Sequence, residues 1–360
     1  MGTTKPPSQI VELQSVRGIA ATAVMIGHSL IYYNTPEWFH QVSLLANGRT
    51  AVVVFFVLSG YVLTRSLRMS SFDRDSVLRF YVQRFFRIYP AIWAASSLGL
   101  LYIFLLHWQI PVDNQGFIIQ RAFREDRFDA LHIAVSLAGM TTFILPPLWT
   151  IFIEIVASIL LPGIAFIALR RPQWFLGLLT LGVVVSFSFS DAYYHVTLYL
   201  VDFIVGASLT LPAIIKRFEK LPARVVVAIG FVALACTQYI PLPYYSPVLH
   251  LGEVILATLV IGTLIGAKQR VPILASRFLL LIGDTSYSIY LFHFVVLCIL
   301  AKLFAVLHLG LGPISMSLLL AVMTCLITVP LAWASYTYIE KPGIALGKRS
   351  IRQMRLANAS

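Results

Sequence analysis

The chain has 360 residues, of which 59% are hydrophobic and only 12% charged, with a net charge of +12. That balance places it among polytopic membrane proteins rather than soluble ones. It leaves no room for a sizeable soluble domain, so residues 1–360 read as one membrane domain with a short cytoplasmic segment at 1–12 and a basic cytoplasmic tail at 341–360.

A membrane crossing needs roughly 20 mostly apolar residues. Ten stretches meet that need, and the fold class is all-α, with helices predicted at 13–33, 50–68, 84–106, 147–169, 174–190, 194–214, 223–240, 246–267, 281–306 and 313–338. The first carries Arg17 and His28 and lacks a small-residue cleavage site, so it is expected as a retained helix. A helix turns ~100° and rises ~1.5 Å per residue, which puts these two side chains on one face about 16 Å apart. Ionisable groups inside a span are costly and mark a functional site by default.

In the second stretch, Phe55-Phe56-Val57-Leu58-Ser59-Gly60 permits a close helix approach, and the Ser59 hydroxyl is within reach of a ligand. Six arginines follow at 65, 68, 74, 79, 84 and 87. Arg84 and Arg87 share a face where the third helix begins, which suits a phosphorylated substrate arriving from the cytoplasm as well as it suits lipid headgroups. Residues 107–146 form the one large polar loop, and the mixed run Arg121 to Asp129 reads as a wet surface or an amphipathic lid. Within it, 128–145 is apolar but ends at Pro146-Pro147, so it is expected as interfacial or re-entrant rather than spanning.

The fourth stretch, closed by Arg170-Arg171-Pro172, carries Glu154. Counted from the outer helix ends, His28 and Glu154 lie at similar depths, roughly 8 and 10 Å. They are expected to form a general-base pair in which the carboxylate holds the imidazole. Asp202 and Glu253 are further embedded carboxylates that would equally serve an ion pathway. The ninth stretch places Asp284 at a cytoplasmic mouth, then Tyr287, and His293 near mid-bilayer. The Glu340-Lys341-Pro342 end and the basic tail read as a solvated interface.

Charge sets the orientation. With ten helices and both termini cytoplasmic, every Lys and Arg except Arg17, Arg49, Arg121, Arg124, Arg127 and Lys302 falls inside, as the positive-inside rule asks. The excess charge therefore signals topology and contact with anionic membrane lipid. It does not signal nucleic acid, because the basic residues are scattered over short loops. The three cysteines (Cys236, Cys298, Cys325) all fall in apolar stretches and are expected as free buried thiols, with no metal cluster. No phosphate-binding loop, dinucleotide fingerprint or internal repeat is present.

These residues resemble the membrane-bound acyltransferase family 3, whose members O-acylate sugars of surface polysaccharides, antibiotics and lipids. Six blocks carry the likeness in order: Arg17 with ten residues before His28; Phe55-Phe56 to Ser59-Gly60; Arg84-x-x-Arg87-Ile88-Tyr89-Pro90; Leu148-Trp149-Thr150 with Glu154; Ser286-Tyr287 to His293; and Tyr338-Ile339-Glu340-Lys341-Pro342. The resemblance implies about ten helices and acetyl-CoA as the usual donor; no metal is expected, and the expected location is the inner (plasma) membrane, multi-pass. It implies that His28 is essential and Arg17 supports it, with Arg84 and Arg87 near the acyl-donor site. Ser59, Tyr287 and His293 are taken with that donor site. Thr150 stands where the family more usually has serine, and Ser15-Val16 replaces the common residues before Arg17-Gly18. The hydrolase-like domain that some relatives carry is not expected here.

The expected function is transfer of an acetyl group from acetyl-CoA to a hydroxyl of a cell-surface polysaccharide or lipid-linked sugar precursor. Both a direct route and an acyl-enzyme on His28 or Ser59 are open, as is a homo-oligomer. Embedded charges also fit a sugar–lipid or acyl-group transporter or flippase, though transporters more often show paired discontinuous helices and internal symmetry. A non-catalytic partner in polysaccharide assembly is the third reading.

Overall fold

A computed structural model describes residues 10–107, 109–116, 129–191 and 193–357. The described residues are helical and connected by turns, apart from an isolated bridge between Tyr33 and Gln115. In chain order the helices are α1 (Val11–Leu30), α2 (Glu37–Ser43), α3 (Gly48–Ser66), α4 (Arg74–Tyr102), α5 (Ala130–Leu137), α6 (Leu148–Arg170), α7 (Phe175–Ser188) and α8 (Val196–Ser208). They continue with α9 (Pro212–Ile215), α10 (Ala223–Cys236), α11 (Pro247–Gly266), α12 (Arg277–Asp284), α13 (Ser286–Val306), α14 (Pro313–Ser335) and α15 (Lys341–Ala357).

Each of the ten predicted stretches is largely helical, but their lengths differ from a uniform set of crossings. Among the described residues six helices are long and apolar enough to span a membrane, and seven if the bent pair Tyr193–Ser208 and Pro212–Phe218 counts as one. That pair turns by 84°, so the predicted helix 194–214 is broken rather than straight. The predicted helix 281–306 is also broken, at Thr285 between α12 and α13. The basic tail, expected as a solvated interface, is helical: α14 passes through a π-helical turn at Tyr336–Glu340 into α15. Cys298 is buried as expected, Cys325 is half-buried, and Cys236 is exposed, so the thiols do not share one environment.

α1 runs through the middle of the bundle, packed on α3, α12, α13 and α14. Small residues allow these contacts. A Cβ at Gly206 of α8 would stand 2.0 Å from the Val57 carbonyl of α3, and one at Gly60 would stand 2.3 Å from the Phe203 carbonyl. The two backbones touch there, as small residues permit in membrane bundles. α13 is the buried centre, with Ser286 through Cys298 all shielded.

The segment before α6 dips into the bundle. α5 spans only eight residues, and Ile144, Leu145 and Leu148 are fully buried, with Gly99 of α4 against Ile144. Thr150 Oγ1 donates to the Tyr290 hydroxyl of α13 at 2.9 Å. α6 thus starts inside the protein and not at its surface. Of the expected stretch 128–145, residues 129–145 hold only the eight-residue α5 and then turn inward at Ile144 and Leu145; residues 117–128, which include the Arg121 to Arg127 run, lie outside the described residues.

Candidate active site

Near its C-terminal end α1 presents His28 to His293 of α13. His28 Nδ1 lies 3.0 Å from His293 Nε2, the ring planes are within 3° of parallel, and Phe294 meets the His28 ring edge-on at 5.6 Å. The other nitrogen of His293, Nδ1, lies 3.2 Å from the Ile289 carbonyl one helical turn earlier. A carbonyl only accepts, so His293 Nδ1 carries the hydrogen and its Nε2 offers a lone pair. His28 Nδ1 must then donate to that lone pair, which leaves His28 Nε2 unprotonated and basic in the neutral pair. His293 is fully buried, whereas His28 keeps part of its surface accessible.

About 16 Å along the same helix, Arg17 reaches a cavity of about 380 Å³ shared by α1, α3, α4, α6, α13 and α15. Arg84 and Arg87 of α4 line it three residues apart, with Glu154 from α6, Ser59 from α3 and Tyr287 from α13. Arg84 Nη2 donates to Glu154 Oε1 at 2.5 Å, and its Nε donates to Ser158 Oγ at 3.2 Å. Arg87 pairs with Glu340, whose second oxygen accepts from Ser288 Oγ at 2.5 Å. The Arg87 guanidinium also sits 5.5 Å over the Tyr287 ring, and that phenol donates to the Ile88 carbonyl at 3.0 Å. Both arginines of α4 are thereby held in place by carboxylates. Ser286 belongs to the same wall, and its Oγ is buried with no hydrogen-bond partner among the described residues.

The expected His28–Glu154 pair does not form. Glu154 belongs to the arginine cavity, and the imidazole's partner is His293. The depth count behind that expectation took α6 to begin at the surface. Because α6 begins inside the bundle, Glu154 lies at the level of Arg84. His293, grouped by sequence with the donor site, stands outside the cavity beside His28, and Arg17 stands inside it. Tyr290 and Phe55 line the cavity and form the layer between it and the dyad, the Tyr290 ring lying 5.8 Å from that of His293 and 6.1 Å from that of Phe55.

Sequence reading missed Glu340, Ser286 and Lys348 as members of this region. Glu340 was placed at a solvated end, yet it is fully buried. Its signal was available: a lone carboxylate in a basic stretch, in a protein whose embedded arginines need counter-charges. Asp202 and Glu253 form a separate group away from the cavity. Asp202 Oδ1 is 2.8 Å from His250 Nε2, and Glu253 Oε1 is 2.5 Å from Arg49 Nη2.

The sequence profile of an acyltransferase domain, acyltransferase 3, matches residues 10–336. An O-acetyl transferase of Shigella phage Sf6 is 25% identical over 334 residues, covering 89% of this chain and 92% of the phage protein. The peptidoglycan O-acetyltransferase OatA of Listeria monocytogenes is 25% identical over 78% of this chain and 48% of its own length. The O-acetyltransferase OatA of Staphylococcus aureus is 23% identical over 93% of this chain and 57% of its own length. The chain thus spans about half the length of the OatA proteins and nearly all of the phage protein. No solved structure matches.

Proposed function

The chain belongs to the acyltransferase 3 family, and from that premise we propose that it moves an acetyl group from acetyl-CoA to a hydroxyl of a cell-surface polysaccharide or lipid-linked sugar precursor. It works in the plasma membrane with ten crossings, both termini cytoplasmic and the arginine cavity opening inward. The names of the O-acetyltransferase relatives support the chemistry. The observation that carries the reading is the histidine dyad, which leaves one imidazole nitrogen free to take a proton.

The cavity fits a thioester donor with a phosphorylated head, offering cations at its wall. The thioester end passes Tyr290 to reach His28, so donor entry includes a movement of that ring. His28 Nε2 removes the proton from an acceptor hydroxyl as its oxygen attacks the thioester carbonyl. The C–S bond breaks, the acetyl group stays on the acceptor oxygen, and the imidazolium returns the proton to the departing sulfur. His293 Nε2 accepts the hydrogen bond that His28 Nδ1 donates, which holds the ring and strengthens as positive charge develops on it. Ser59 lies in the cavity and not beside the dyad, which favours direct transfer over an acyl-serine.

The test is incorporation of label from radioactive acetyl-CoA into glycan by the full chain in liposomes, together with NMR of the surface polysaccharide after gene deletion. Labelled ester on the glycan, and O-acetyl signals lost on deletion, are the expected results. Movement of a sugar–lipid across the bilayer without any new ester would instead establish the transporter reading.

A further inference from the structure

The positive charges of the cavity are not equivalent. Arg84 and Arg87 are each neutralised by a carboxylate, Glu154 and Glu340. Arg17 and Lys348 line the same cavity and form no ion pair among the described residues. Arg17 is half-buried on α1, whereas Lys348 on α15 is exposed, as are the lining residues Ser66 and Gln83, and these exposed residues mark the cavity mouth.

The placement of Lys348 follows from how α15 docks. Pro90 within α4 has no N–H to offer the carbonyl of Phe86 one turn earlier. Against that carbonyl lies Gly343, where a Cβ would stand 2.8 Å from the Phe86 oxygen and 3.0 Å from Pro90 Cγ. Gly347, one turn on, faces the Phe86 side chain, where a Cβ would be 3.0 Å from that residue's Cβ. The two glycines let α15 lie directly on α4. Ile344 and Lys348, each one residue further round the helix, are turned by ~100° from that seam toward the cavity. Three other cations of α15 are placed differently: Lys341 stacks 4.6 Å from the Tyr336 ring, and Arg349 and Arg352 are exposed outside the cavity.

We infer that Lys348, on a helix beyond the residues matched by the family profile, binds the phosphate-bearing head of the donor at the cavity mouth. The inference rests on the acetyl-CoA reading above and adds a specificity residue to it. The pantetheine-like end, which carries no phosphate beyond its attachment point, runs inward past Arg17, while the head stays with Lys348. A phosphate from an anionic lipid would present the same chemistry, so the two sources must be separated by experiment.

The measurement is binding of radiolabelled coenzyme A to the full chain in phosphatidylcholine nanodiscs, with Lys348→Ala, Lys348→Glu and, as the comparison, Arg349→Ala. Loss of one exposed charge contact should weaken coenzyme A about twofold to fivefold in Lys348→Ala, more in Lys348→Glu, and little in Arg349→Ala. Competition by pantetheine, which lacks phosphates, should be unchanged by all three. Addition of phosphatidylglycerol should displace coenzyme A weakly; full displacement would assign the site to lipid and overturn the proposal. Unchanged coenzyme A affinity in both Lys348 variants overturns it, as does an equal loss in Arg349→Ala or an equal loss of pantetheine, which reports collapse of α15. An intact chain that binds no coenzyme A sinks the donor reading itself, and this inference with it.

Discussion

Two groups of buried charge can be compared. The first is the cavity of Arg17, Arg84, Arg87 and Glu154; the second is the cluster of Arg49, Glu253, Asp202 and His250. In the second, side chains are almost fully shielded, at 3% for Arg49 and 0% for Glu253, and Arg49 is completed by the Tyr244 carbonyl and ring. In the first, Arg84 retains 14% of its side-chain surface and Arg87 retains 25%, and both face a void. By composition the two groups are alike, each mixing arginine, carboxylate and aromatic rings. The difference is that one group ties helices together with its side chains shielded, while the other leaves cations beside empty volume. Embedded charge alone therefore does not distinguish the two groups; the cavity beside one of them does.

Substitutions can break that comparison. The largest effect is expected at His28, where loss of the base in His28→Ala should lower acetyl transfer by roughly 10²–10⁴-fold with the folded, membrane-inserted yield unchanged. His293→Leu, which removes only the ring that orients His28, should fall between wild type and His28→Ala. Transfer at wild-type rate in His28→Ala, measured on labelled glycan, would falsify the catalytic role.

The shielded cluster should respond in stability and not in chemistry. Glu253→Gln leaves Arg49 without its charge partner and should cost about 3–5 kcal/mol, read as a lower thermal midpoint in detergent. Turnover per folded molecule should stay near that of wild type. Glu154→Gln is the matched change in the cavity: a smaller thermal shift, because water reaches Arg84, but a raised KM for donor. If the two variants exchange these signatures, the assignment of structure to one group and function to the other is wrong.

The smallest effect belongs to the start of α4. Asp73 accepts from the Ser76 backbone N–H at 2.7 Å and from Ser71 Oγ at 2.8 Å, and these bonds hold its carboxyl down to about 2. A carboxyl lowered in the folded state stabilises at pH above its ordinary value of 3.8, and that contribution is lost as pH falls toward 2. Asp73→Ala should flatten the thermal midpoint across that window while leaving donor affinity at neutral pH unchanged.

Much of the site was legible along the chain. The eleven-residue interval between Arg17 and His28 fixes both on one face of any helix, and Arg84-x-x-Arg87 must present both guanidiniums together. Apolar runs and the distribution of Lys and Arg gave the helical class and a proposed orientation. What failed was pairing. Depth counted from a helix end presumes that the end lies at the surface, and α6 begins among Ile144, Leu145 and Tyr290 inside the bundle.

Periodicity is a local property, so the sequence alone determined which side chains share a helix face and how far apart they stand along it. Contacts between residues hundreds of positions apart depend on how helices tilt, break and insert, and those choices are made by packing over the whole bundle. Only the tertiary structure could therefore give His28 to His293, Glu154 to Arg84 and Glu340 to Arg87. The same packing, through two glycines seated where Pro90 interrupts the hydrogen bonds of α4, brought Lys348 to the mouth of the cavity.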